Sequence, residues 1–307
     1  MLKVILRRVI VYLPMLLGLT IIVFSMMHLI PGDPAEVILA QSGARPEAVA
    51  RLRAQLGLDL PLHVQYGQYL SGLLRGDMGT SLFTYRPVTE IIAQNLPSTM
   101  VLTIAAMSLA IVVGVTVGVL AAVYQGTWVD NVAMTLAVVS ISMPGFWLGL
   151  LLIYLFSLYL GWLPSGGQGS VQHLVLPATV LGANAAATIA RLVRSGLLEV
   201  LRQEYIMTAR SKGLSERLVL FRHALKNALI PLVTVMGLQF GFLLGGTVVI
   251  ETVFARQGLG RVVVEAIIYK DLPVVQGIVL FVAVTYMLVN LFVDICYALI
   301  DPRIRLP

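Results

Sequence analysis

The side chains best suited to chemistry in this sequence are few and scattered. His28, His63, His173 and His223 stand far apart, and Cys296 is the single cysteine. No Cys, His and carboxylate group therefore has metal-ligand spacing, and no disulfide can form within the chain. No Ser–His–Asp set is suggested by spacing. There is no G-x-x-x-x-G-K-[S/T] loop to cradle phosphates, so ATP is not hydrolysed here by that route. Gly258-Leu-Gly260 is a lone glycine pair and reads as turn punctuation. The expectation is a non-enzyme, with no catalytic, cofactor-binding or metal residue of its own.

What remains is uncharged and polar. Thr103, Ser108, Thr116, Ser140, Ser142, Asn184, Thr188, Thr234, Gln239 and Thr247 lie within otherwise apolar runs. Such groups hydrogen-bond between helices or line a pore that passes a hydrated solute without holding it tightly. Ionisable groups are nearly absent from those runs. Asp130 and Glu251 fall at helix ends, and only Asp294 lies inside a run, where it reads as a structural partner for Arg191 or Arg194. An ion-coupled carrier or channel working alone would need more buried charge than this. Glycines gather at Gly237, Gly241, Gly245 and Gly246, a spacing that lets another helix approach closely, within the chain or in a second subunit.

The most patterned polar stretch runs from Arg191 to Pro231. Within it, Glu204 to Ser211 is expected to form a short helix that Gly213 stops. Tyr205, Ile206 and Ala209 sit there beside Arg210 and Lys212. A short amphipathic helix held between two membrane helices is a docking handle for a soluble partner, or else a basic segment resting on anionic headgroups.

The elements that position these residues follow from composition. Hydrophobic residues make up 58% of the 307 and charged residues 12%, with a mean hydropathy of +0.91. A soluble fold so poor in charge could not cover its surface, so the apolar excess faces lipid. The net charge of +6 is no nucleic-acid footprint, because the basic residues cluster at the ends of apolar runs. Six runs reach spanning length: about 9–29, 98–124, 132–160, 174–189, 230–250 and 274–300. The fold class expected is an all-α integral membrane protein with six transmembrane helices. The first run is too long for a signal-peptide core.

Orientation comes from the basic residues. With the N-terminus cytoplasmic, 13 of the 21 Lys and Arg fall on the short inner segments and 8 on the longer outer ones. Both ends are therefore expected inside. Residues 31–97 then form an extracytoplasmic loop, helical over Pro46–Gly57, after Pro61 and after Pro87. The division expected is 1–30 as the N-terminal transmembrane helix, 31–97 as that loop, and 98–307 as a five-helix core with a cytoplasmic loop at 191–229.

These residues resemble a known family. Tyr205-x-x-Thr208-Ala209-Arg210-x-Lys212-Gly213, followed by His223-Ala-Leu-x-Asn227-Ala-Leu-Ile-Pro231, is similar to the ATPase-coupling loop of the dipeptide/oligopeptide/nickel branch of ABC importer permeases. The likeness extends to Pro31-Gly32-Asp33-Pro34, Gly57-Leu-Asp59 with Gln65-Tyr66, Gly76-Asp-x-Gly-x-Ser81, Glu251-Thr-x-Phe254, and Asp294 through Asp301-Pro-Arg303. The broader permease loop has a glutamate six residues before its glycine. Here that position is Met207, and Glu204 stands three residues earlier.

The resemblance implies the ABC type I importer permease fold in a bacterial inner membrane. It implies a second homologous permease, two ABC ATPases that bind ATP and Mg, and an extracytoplasmic binding protein as partners. ATPase coupling would fall to Glu204, Tyr205, Thr208, Ala209, Arg210, Lys212 and Gly213. Pathway or gate roles would fall to Ser140, Ser142, Thr234, Gln239, Thr247, Glu251 and Phe254, and structural roles to Pro31, Gly32, Asp33, Pro34 and Asp294. Relatives in this branch are associated with dipeptides, oligopeptides, glutathione and nickel; small peptides are the cargo favoured here, with glutathione next.

Overall fold

The structure, a computed structural model, describes residues 2–29, 46–55 and 57–300. Pro31, Gly32, Asp33 and Pro34 lie outside the described residues, as do Asp301 to Arg303. Among the described residues the regular structure is helical, with one isolated bridge between Thr80 and Pro87. The chain divides into two compact units, one of Ser98–Gln257 with Leu288–Pro307 and one of Leu2–Pro97 with Gly258–Met287.

The second unit begins with α1 (Leu2–Leu29), which carries the apolar stretch Ile10–Met26. Helix α2 (Pro46–Gln55) is followed by Gly57 at φ 68°, a left-handed stop that favours glycine. Helix α3 (Leu62–Leu74) docks on α1: the Thr20 and Tyr66 hydroxyls lie 2.9 Å apart, and the Phe24 ring meets Tyr66 edge-on at 5.4 Å. Burial, reinforced by neighbouring Tyr66, pushes the Tyr69 phenol up to about 12. Helix α11 (Leu259–Ile268) starts after Gly258, which punctuates the turn, whereas Gly260 lies inside the helix. The turn beyond it places Asp271, which accepts hydrogen bonds from the Ser81 hydroxyl and the Leu82 amide. The first half of α12 (Leu272–Ile300) closes this unit, where the Gln276 amide donates to the Val23 carbonyl at 3.1 Å.

Helix α4 (Val88–Val123) is continuous for 36 residues. The expectation of a separate short helix after Pro87 is corrected: those residues are the first turns of the second span, and Pro97 interrupts only one backbone bond. Membrane helices tolerate that loss.

The first unit is built around α7 (Gln172–Leu201), the most buried of the spanning helices. Its run at 174–189 is the shortest of the six and rich in alanine in place of larger apolar residues, and alanine is what lets neighbours close in. A Cβ added at Gly114 or Gly118 of α4 would lie 2.7 or 2.6 Å from the Ala186 or Ala190 carbonyl of α7. Helix α7 also continues to Leu201, because Val193 and Leu197 bury themselves on its inner side. The expected loop at 191–229 is thus helical for its first third.

The third apolar run is not one continuous helix. It forms α5 (Trp128–Ser142) and α6 (Gly145–Tyr159), bent by 110°. Pro144 explains the break, since its ring excludes Met143 from the helical region; Met143 sits extended at φ −87°, ψ 129°. The last turns of α6, Ile153–Tyr159, are π-helical. Helix α10 (Ile230–Val253) follows with Pro231 in its first turn, where a missing N–H costs nothing. Among the described residues, helices α4, α7, α10 and α12 are each long and apolar enough to cross a membrane, and the bent pair α5 and α6 reaches that length only together, as one broken span or a re-entrant loop.

Candidate functional site: a neutral cleft and a basic helical handle

Four helices of the first unit, α5, α6, α7 and α10, enclose a cavity of about 490 Å³. The bend at Pro144 opens it, turning α6 away from the line of α5. Its polar lining comes from Ser140, Asn184 and Gln239, one residue from each of three helices. Phe146, Phe242, Leu243 and Val249 supply apolar walls, and no lining residue carries a charge. Such a surface offers hydrogen bonds of either sense without a fixed ion to trap a solute.

The expected pathway residues separate in space. Ser140 and Gln239 line the cleft. Ser142 is exposed near the bend and donates to the Val138 carbonyl. Thr247 is buried with its hydroxyl donating to the Leu244 carbonyl at 2.7 Å. Thr234 lies in α10 and Asp294 in α12, with side chains outside those described. Asn184, which faces the cleft beside Gln239, was legible only as a polar residue in an apolar run.

Glu251 and Phe254 belong to a buried cluster and not to the cleft lining. The Glu251 carboxylate is fully buried and accepts the Thr99 hydroxyl at 2.7 Å. The Arg256 amide donates to the Glu251 carbonyl at 2.8 Å. Burial lowers the pKa of the Arg256 guanidinium, and neighbouring Glu251 opposes that shift. Phe254 fills the core beside Gly149, and its carbonyl accepts the Gly167 amide at 2.8 Å. Ala255, between Phe254 and Arg256, takes φ 47°, a left-handed geometry uncommon for alanine.

Beyond α7 the chain turns into α8 (Glu204–Ser211), the helix read from the sequence with the same bounds. Gly213 follows at φ 76° and stops it. Ile206 and Ala209 are buried against Leu197, Val219 and Ala224, while Tyr205, Met207, Thr208, Arg210 and Lys212 are exposed. Glu204 occupies the first turn, where a negative charge complements the helix dipole. Residues 216–228 form α9, whose middle turn Val219–Ala224 is π-helical. Two links tie α8 to it. Arg210 grips Glu216 with two hydrogen bonds of 2.8 and 3.1 Å, and the Asn227 amide donates to the Tyr205 hydroxyl at 2.8 Å. Only Leu229 separates α9 from α10, so the handle runs directly into the helix that carries Gln239.

Of the two arginines expected beside Asp294, whose side chain lies outside those described, Arg194 pairs with Asp130. Its Nε and a terminal nitrogen donate to the two carboxylate oxygens at 2.6 and 2.7 Å, bracing α7 against the first turn of α5. The Gly126 amide adds a third hydrogen bond to Asp130 at 3.0 Å. Among the described residues no group of three His, Cys, Asp or Glu could hold a metal ion.

The architecture has solved counterparts. An inward-facing MetNI methionine ABC transporter matches with a TM-score of 0.60 at 22% identity, over 69% of this chain and 97% of that one. An amino acid ABC transporter solved with histidines matches at 0.52 and 18% identity, over 70% and 94%. The fold is that of an ABC importer permease of type I. Residues 114–306 match the family described as the inner-membrane component of binding-protein-dependent transport systems, and residues 1–103 match its N-terminal counterpart. The chain belongs to this family of inner-membrane permeases. Two curated relatives cover it end to end. A glutathione transport system permease protein from Salmonella choleraesuis is 48% identical over 99% of both chains. A dipeptide transport system permease protein from Alkalihalophilus pseudofirmus is 45% identical over 99% of this chain and 100% of that one.

Proposed function

We propose that this permease carries small peptides, dipeptides and glutathione among them, through the cleft lined by Ser140, Asn184 and Gln239. The observation that carries this reading is the neutral polar lining itself. A peptide backbone offers donors and acceptors in equal number, and a cleft with amides and a hydroxyl but no charge matches it without holding it. The two full-length relatives, named for glutathione and for dipeptides, support the same chemical class.

In this account the chain pairs with a second, similar permease. An extracytoplasmic binding protein delivers the peptide, and two ATPase subunits bind ATP and Mg on the cytoplasmic side. Both termini and α8 face the cytoplasm, in keeping with the basic residues of 191–229. Nucleotide binds the closed ATPase pair more tightly than the open one, and that difference moves α8. The Arg210–Glu216 and Asn227–Tyr205 links carry the displacement into α9, and Leu229 passes it to α10 and the cleft. Glu251, buried with Thr99 and Arg256 near the far end of α10, holds that end while the near end moves.

The test is uptake of labelled dipeptide and labelled glutathione by proteoliposomes holding the whole assembly and its binding protein, with ATP inside. Accumulation of either peptide supports the reading. Accumulation of neither, with a different solute taken up, would replace the cargo and leave the permease class intact.

A further inference from the structure

A second cavity, of about 470 Å³, lies on the other side of α5 and α7 from the cleft and is closed on its third side by α4. Its character is opposite. Val113, Val132, Leu136, Ala183, Ala187 and Ala190 line it, with no charged group and only two hydroxyls, Ser140 and Thr179. The Thr179 hydroxyl is turned back onto the Val175 carbonyl at 2.8 Å. We propose that this groove binds one acyl chain of an anionic membrane phospholipid, its headgroup held at Arg191.

Three observations point to that occupant. The first is length. On α7 the groove runs from Thr179 to Ala190, about 16 Å at 1.5 Å per residue, or half the roughly 30 Å of hydrocarbon in a bilayer. That is one leaflet, the reach of one acyl chain. The second is charge. Ala183 and Ala187 stand four residues apart on the groove face, and the next residue of that row is Arg191. Arg191 is exposed and makes no ion pair among the described residues, whereas Arg194, one turn on, is committed to Asp130. An exposed cation at the end of an apolar groove complements a phosphodiester. The third is Trp128, which lines the same end of the groove from α5 and is 75% exposed. An exposed indole at that depth is the side chain that membrane interfaces collect.

The site has a consequence for transport. Ser140 and Ala183 line both cavities, so the groove and the neutral cleft share a wall. A chain seated in the groove backs that wall and limits how far α5 can shift from the cleft into the groove. Bound lipid therefore sets the width of the cleft.

The test uses the assembled permease complex in nanodiscs of phosphatidylcholine doped with phosphatidylglycerol bearing a photoactivatable acyl chain. Labelling is expected on α5 and α7 peptides that line the groove. Ala187→Trp fills the groove and is expected to lower that labelling roughly tenfold, the effect of losing about 1.4 kcal/mol of binding. Arg191→Gln leaves the groove open at an exposed position, so folding is spared. It is expected to cut the preference for phosphatidylglycerol over phosphatidylcholine about fivefold, from about 1 kcal/mol per basic residue at an anionic surface. Labelling that ignores both substitutions, or crosslinks from this groove to a second permease helix in place of lipid, would overturn the proposal.

Discussion

Arg194 and Asp130 form a two-point ion pair that fastens α7 to the first turn of α5, at 2.6 and 2.7 Å. Asp130 is 4% exposed and Arg194 27%, so neither charge is well solvated once its partner is gone. The pair sits where α5 enters, just below the helix segment that contributes Ser140 to the cleft. It fixes the spacing of two cleft-forming helices from one end.

Asp130→Ala should therefore destabilise the protein by about 3–5 kcal/mol, because it strands a partly buried guanidinium. Removing both charges, as Asp130→Ala with Arg194→Met, should cost less than the single change. Thermal unfolding of the purified permease in detergent checks this, and a double variant less stable than the single one would contradict it.

Gly213→Val should uncouple ATP hydrolysis from uptake. At φ 76° a β-branched residue meets a left-handed penalty of about 1–2 kcal/mol, which the short α8 relieves by changing its own end. Membrane insertion should be unaffected, because no atom lies within 4 Å of an added Cβ there. ATPase rate and uptake, measured together in proteoliposomes, should part company. Normal uptake would count against α8 as the coupling element.

Tyr205→Phe should weaken the same linkage by removing the acceptor for Asn227. The loss is about 0.5–1.5 kcal/mol, a few-fold fall in peptide moved per ATP. Asn227→Ala should do the same, and the two together should do no more than either alone. Additive losses would mean that the residues act separately.

Gln239→Leu should slow uptake a few-fold, by the same order of hydrogen-bond energy, while assembly stays intact. The position is half-buried on the cleft wall and can take an isosteric apolar side chain. Loss of assembly would make Gln239 a packing residue.

How far the sequence carried this reading differs from element to element. The C-terminal end of α8 was legible because a local signal, Gly213 with its left-handed turn, decides it. The apolar runs were legible because spanning length is a property of the run alone. The break between α5 and α6 was signalled by Pro144, but continuous hydropathy on both sides hid it. The full length of α7 is not legible because hydropathy measures side chains, whereas its burial rests on alanines and on Gly114 and Gly118 across from it. Cleft membership was legible only as a set of polar candidates, of which Ser140 and Gln239 line the cleft. Ser140 and Thr247 look alike as polar residues in apolar runs, and only tertiary packing sends Ser140 to the cleft and Thr247 to the interior.

The account rests on this chain being a gate driven by a motor elsewhere. The most direct measurement is solute accumulation by proteoliposomes holding either this chain alone or the complete assembly, with ATP and ion gradients varied independently. The account predicts concentration of peptide only with the assembly and ATP, whatever the gradient. Uphill accumulation by the chain alone, driven by a proton or sodium gradient, would contradict it.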